Sequence, residues 1–80
     1  MEGRHHGIRA NSISPGTIGT ASVKAYLGDA EWSKATLDKI MLGRLGEPEE
    51  IAAVALFLAS GESSFVNGAD IIADGGTTAW

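Results

Sequence analysis

The run I-A-A-V-A-L-F-L-A, from Ile51 to Ala59, sets the tightest limit on what this chain can become. Pro48 opens it, in the first helical position, where a missing N–H is no loss. Glu49 and Glu50 follow in the first turn, where negative charge suits the helix dipole. A helix apolar on every face has to be buried on every face. One side can pack on a sheet, and the other needs a second helix or a second subunit. The alanines in the run allow close approach.

The run is too short to be anything else that is apolar. At nine residues it falls well below the roughly 20 that a membrane-spanning helix needs. The N-terminal M-E-G-R-H-H-G has no apolar stretch and hence no secretory signal, so the expectation is a cytoplasmic protein without membrane contact. Ten acidic against six basic residues argue against nucleic acid, because phosphate binding needs a basic face. Eighty residues make one small domain at most, and there are no cysteines to staple it. Self-association is the remedy that remains.

A strand is expected from Ile8 to Ser14, stopped by Pro15-Gly16. Ala21 to Leu27 can form one or two helical turns closed by Gly28. Asp29 is placed to cap a helix from Ala30 to about Leu42, with Gly43 as its stop. Asn67-Gly68 reads as a turn, Ala69 to Ala73 as a short isoleucine-rich strand, and Asp74-Gly75-Gly76 as its end. Strand, helices and strand in this order define an α/β chain whose two strands lie parallel.

Several chemistries are set aside at this level. His5-His6 are adjacent and have no Asp, Glu or Cys around them, so a solvated loop is the better reading than a metal site. Ser12, Ser14, His5 and Asp74 include the residue types of a hydrolase triad, but no G-x-S-x-G elbow surrounds a serine. Asp70 and Asp74, four residues apart on one strand face, are about 13 Å apart. That is beyond the ~5–9.5 Å of paired-carboxylate catalysis. Asp70 is expected at solvent or an interface, Asp74 on the backbone of the Gly-Gly turn, and Arg44 beside a carboxylate.

Three motifs carry a resemblance. I-R-A-N-S-I-S-P-G-T-I-G-T, then G-R-L-G-E-P-E-E-I-A-A-V-A-L-F-L-A-S, then V-N-G-A-D-I-I-A-D-G-G resembles the C-terminal third of the short-chain dehydrogenases/reductases. The resemblance implies a C-terminal fragment of a doubly wound Rossmann-type parallel sheet, and hydride transfer between NAD or NADP and an alcohol or ketone. It implies that backbone at Pro15, Gly16 and Ile18, with the Thr20 hydroxyl, binds the nicotinamide end of the cofactor. Residues 21–42 would match the substrate lid. The Ile51 to Ala59 helix and the Ala69 to Ala73 strand would build a homo-oligomer interface.

The rest of the family's machinery is missing from these eighty residues. The glycine-rich G-x-x-x-G-x-G fingerprint is absent, and so is Asn-Asn-Ala-Gly. The catalytic Tyr-x-x-x-Lys pair is also absent: Tyr26 is the single tyrosine, and four residues on stands Ala30. No catalytic residue is therefore assigned, and the chain alone is expected to be inactive, with very weak cofactor affinity. The alternative expectation is a truncated, non-enzymatic module that self-associates.

Overall fold

The structure, a computed structural model, describes residues 7–79. The expectations for His5-His6 and the first residues lie outside that range. Two short strands form a parallel pair, β1 (Ser12–Pro15) and β2 (Asp70–Ala73), in the register Ser12 to Asp70 through Pro15 to Ala73. Between them run α1 (Ala21–Lys24), α2 (Ala30–Leu37) and α3 (Pro48–Ala59), then a single 3-10 turn, Gly61–Ser63.

Strand alternation sorts the sheet into two faces. Ile13, Ile71 and Ala73 are half-buried on the side of α3, which turns Ile51, Val54 and Leu58 toward them. Those three helix positions are spaced i, i+3 and i+7, one stripe of a helix. The other sheet face carries Ser12, Ser14, Asp70 and Ile72, all exposed. Both serine hydroxyls donate to the Asp70 carboxylate, at 2.8 and 2.9 Å. The outer side of α3 stays bare, with Leu56 72% exposed and Phe57 41%.

Several element boundaries differ from the sequence reading. The first strand starts at Ser12 rather than Ile8 and takes in Pro15. The segment before it is held by one backbone bond, Gly68 N–H to Ala10 C=O at 2.8 Å, and otherwise through side chains. Ala10 N–H donates to Asn67 Oδ1, the Asn11 amide donates to Val66 C=O, and Asn11 Oδ1 accepts from Ala69 N–H. The second helix ends at Leu37 rather than Leu42. Beyond it the chain tightens into i→i+3 turns, Lys39 N–H to Thr36 C=O and Ile40 N–H to Leu37 C=O. That change of pitch delivers Ile40 into the molecule, where it is 5% exposed. The last strand is shorter by one residue, although Ala69 C=O still accepts from Ser12 N–H.

Local signals account for the helix starts. Asp29 caps α2, its carboxylate accepting from Glu31 and Trp32 N–H. At α3 the Glu50 carboxylate reaches back to Glu47 N–H at 2.9 Å and is gripped by both nitrogens of Arg44, at 2.7 and 3.0 Å. That two-pronged contact, with the Glu47 N–H, holds the Glu50 carboxyl down at about 2, below its ordinary 4.5.

The C-terminal end of α3 is closed by a residue far away in sequence. The Arg9 guanidinium donates to Leu58 and Ser60 C=O from one nitrogen, and to Ser63 C=O, Ser63 Oγ and Val66 C=O from the other. A cation there meets the carbonyls a helix end leaves unpaired. Ser63, 1% exposed, sits beneath it.

Little of the chain is sealed from water. Among the described residues Ile40 is the only buried large apolar side chain. The radius of gyration is 16.0 Å, against roughly 12 Å for a compact chain of this length.

Candidate functional site

Pro15, Gly16, Ile18 and Thr20 follow one another around the turn at the carboxyl end of β1. In open parallel sheets this is the end where ligands bind. Gly16 N–H still pairs with Ala73 C=O at 3.1 Å. A Cβ on Gly16 would stand 2.7 Å from both Cα and Cβ of Asp74. Only glycine lets the two backbones come that close.

Past Gly16 the turn is pinned to residue 46. Ile18 and Gly46 form an isolated parallel bridge, with Gly46 N–H donating to Thr17 C=O and Gly19 N–H to Gly46 C=O at 2.7 Å. Thr20 N–H returns to Ile18 C=O at 2.8 Å, and Thr20 then caps α1, its hydroxyl oxygen 3.4 Å from Val23 N–H. In that contact the hydroxyl oxygen accepts, which leaves its proton free to donate.

The bonding pattern leaves a donor and an acceptor on offer. Ser12 and Gly16 N–H point at β2, so by the alternation of a parallel ladder the Pro15 carbonyl points to the open edge of β1. Among the described residues the Ile18 N–H has no acceptor. Unpaired groups on a pinned backbone are what a planar amide needs: one donor, one acceptor, little reorganisation.

Two cavities flank the turn. One, of about 260 Å³, lies between the turn and α3 and is lined by Ile18, Ile40, Leu42, Ile51 and Val54, with Arg44 at its rim. The other, of about 410 Å³, lies on the polar sheet face, against Ser14, Pro15, Gly16, Asp70 and Thr78. Atoms of Pro15 and Gly16 line one cavity, atoms of Ile18 the other and atoms of Thr17 both, while Thr20 lines neither.

The Asp74 carboxylate is drawn into the turn that follows β2. The Thr78 hydroxyl donates to it at 2.8 Å, with Gly76 and Thr78 N–H alongside. The Thr78 hydroxyl and then those amides hold its pKa below the ordinary range, against the opposing effect of partial burial. Asp74 is therefore an anion committed to its own loop. Tyr26 is 57% exposed and packs on Trp32, ring centres 5.6 Å apart. Ala30, not a lysine, stands four residues after it, so Tyr26 is not part of a Tyr-x-x-x-Lys pair. Among the described residues no group of three metal-ligating side chains comes together, and no helix is long and apolar enough to cross a membrane.

With this geometry, the chain belongs to the short-chain dehydrogenase/reductase family. The family described as enoyl-(acyl carrier protein) reductase matches residues 1–78. An L-rhamnose-1-dehydrogenase of Scheffersomyces stipitis is 51% identical over 71 residues, which cover 89% of this chain and 28% of that protein. A crystal structure of a putative 2-deoxy-D-gluconate 3-dehydrogenase from Agrobacterium tumefaciens with bound NADP superposes with a TM-score of 0.88 at 42% identity, over 99% of this chain and 32% of that one. A 4-hydroxyisoleucine dehydrogenase complexed with NADH gives a TM-score of 0.90 at 32% identity, over 100% and 33%. The chain therefore spans about a third of the length of the relatives it matches.

Two supports of the site were invisible in the sequence. Gly46 and Asp74 hold the turn from either side, and only their close contacts with Ile18 and Gly16 reveal it. The doubled glycine after Asp74 was the one hint that something packs tightly there.

Proposed function

We propose that this chain is the C-terminal portion of an NAD(P)-dependent short-chain oxidoreductase, a class that moves hydride between a nicotinamide and an alcohol or ketone. The observation that carries the reading is the pinned turn at the end of β1, with a free Ile18 N–H and a Pro15 carbonyl on the open edge. When bound, the cofactor supplies hydride chemistry, which no side chain here can perform. The chain's own part is to hold the carboxamide end: Pro15 accepts, Ile18 donates, Gly16 lets the backbone approach, and the Thr20 hydroxyl adds a donor. Residues 21–42 form the lid over the substrate. The presence of NADP and NADH in the two structural relatives supports the cofactor class.

The C-terminal placement rests on what the eighty residues hold and what they lack. They include a strand-end cofactor loop and the Asp-Gly-Gly ending, but neither a glycine-rich fingerprint nor Tyr-x-x-x-Lys. Alone, the chain has no group to trade a proton with an alkoxide, so it turns nothing over. The test is oxidation of NADH and NADPH with a panel of ketones against a protein-free blank. Turnover above the blank refutes the reading. So does micromolar affinity for either nucleotide by calorimetry, because the surfaces for adenine and pyrophosphate are not in this chain.

The bare outer side of α3 favours a second reading: a self-associating module. Leu56 and Phe57 there are 72% and 41% exposed, and Ile72 on β2 is 59% exposed. Leu56 and Phe57 lie on the outer side of the helix and Ile72 on the opposite face of the sheet; exposed apolar groups mark contact surfaces, and a second copy through α3 and β2 is the occupant proposed. Light scattering at micromolar concentration tests it, with a dimer or larger expected and a stable monomer opposing it.

A further inference from the structure

The turn Asp74-Gly75-Gly76 touches both halves of the candidate site. On one side it abuts the cofactor loop, since a Cβ on Gly16 would meet Asp74 Cα and Cβ at 2.7 Å. On the other it abuts the end of the lid. A Cβ on Gly75 would lie 2.7 Å from Ile40 Cγ2, and one on Gly76 would lie 2.6 Å from Met41 Cβ. Leu42 N–H donates to Gly75 C=O at 3.0 Å. Gly75 and Gly76 have φ of 64° and 92°, which a side chain would strain.

The turn is stiff in its own right. Asp74 Oδ1 accepts from Gly76 N–H, Oδ2 accepts from Thr78 N–H and Oγ1, and Thr77 Oγ1 donates to Asp74 C=O. Ile40, the buried apolar side chain, is lodged at this junction rather than under the sheet. Close-packed contacts of this kind pass on displacement because no void is left to absorb it. The cofactor loop also meets the chain just beyond the lid directly, at the Ile18–Gly46 bridge, four residues after Leu42.

We infer that the Asp74-Gly75-Gly76 turn is a wedge joining the cofactor loop to the C-terminal root of the lid, with Asp74 as its positioning residue. The wedge couples the loop to the lid root: a shift at Gly16 displaces Asp74, and through Gly75 it displaces Ile40 and Leu42. The names of loop and lid rest on the function proposed above. The mechanical linkage rests on contacts alone, and such a claim requires a shared element that both sites bias.

The test is residue-resolved amide hydrogen exchange on the eighty-residue chain without nucleotide, so its outcome is separate from that of the function. Gly16→Ala should raise the exchange rate of the Leu42 amide by at least about tenfold, while amides in the middle of α3 stay within about twofold. Asp74→Ala should do the same, and Asp74→Asn, which keeps one acceptor and the shape, should fall between it and the wild type. An unchanged Leu42 amide in Gly16→Ala beside faster Gly76 and Thr78 amides overturns the wedge. An equal rise at Leu42 and throughout α3 also overturns it, because that is global loosening. Should Gly16→Ala not fold, Thr78→Val removes one bond to Asp74 without a clash. It should speed the Gly16 and Leu42 amides together, and a response on one side only refutes the coupling.

Discussion

Replacing Arg9 by alanine should be among the most damaging single changes away from the candidate site. The guanidinium makes five contacts of 2.9–3.2 Å to four carbonyls and a hydroxyl at the end of α3. Hydrogen bonds to a charged group are worth roughly 1.5–3 kcal/mol each. Two nitrogens share the five acceptors, and the side chain is only half-buried, so two effective bonds at the low end give a loss of about 3 kcal/mol. A chain of this size has roughly 4–12 kcal/mol in total, so the change removes a quarter or more. In urea, followed by far-UV circular dichroism, a slope near 1 kcal/mol/M puts the midpoint about 3 M lower. Arg9→Lys keeps the charge at the helix end but has three donors on one atom, which cannot span carbonyls from Leu58 to Val66. It should recover about 1 kcal/mol at most. A loss below about 0.5 kcal/mol for alanine, or full recovery with lysine, would refute the fork geometry as the cause.

Three further outcomes follow from other contacts. Ile40→Ala empties the space against Gly75 and should lower stability by about 2–4 kcal/mol in the same urea assay, with little effect if the contact is incidental. Glu50 titrates near 2 in the folded chain against an ordinary 4.5, a lowered value, so its contribution is present above about pH 4.5 and drains away toward pH 2. Glu50→Gln should therefore flatten the acid side of the stability profile in that window, and an unchanged slope would contradict the Arg44 pairing. Leu56→Glu, at a position 72% exposed in the single chain, should abolish association in light scattering while leaving helix content intact; persistent association would move the interface elsewhere.

What the sequence made legible is what is decided locally. Asp29 as a cap, Pro48 at the first helical position and Asp74 closing its own turn each act within four residues. The parallel pair followed from the order of elements, and the turn that ends β1 from Pro15-Gly16. The rest depends on partners 30 to 60 positions away. Arg9 reads as an ordinary strand residue until the carbonyls of residues 58–66 arrive around it. Ile8 through Asn11 look like a strand because their composition suits one, yet beyond the single backbone bond from Gly68 N–H to Ala10 C=O the pairing there is made by the side chains of Asn11 and Asn67. Helix propensity runs on past Leu37, and the fit of Ile40 against Gly75 overrides it. The all-apolar helix was legible as a helix and as needing two covers; the sheet supplies one of them.

The central claim is that the turn from Pro15 to Thr20 faces the nicotinamide. Amide chemical shifts of the isotopically labelled chain, followed while NADH is added to about 10 mM, address it most directly, since a half-site should bind no tighter than about 1 mM. The account predicts small, unsaturated shifts at the Gly16, Ile18 and Thr20 amides, with α3 silent. Shifts centred elsewhere, or none at these three amides, would contradict it.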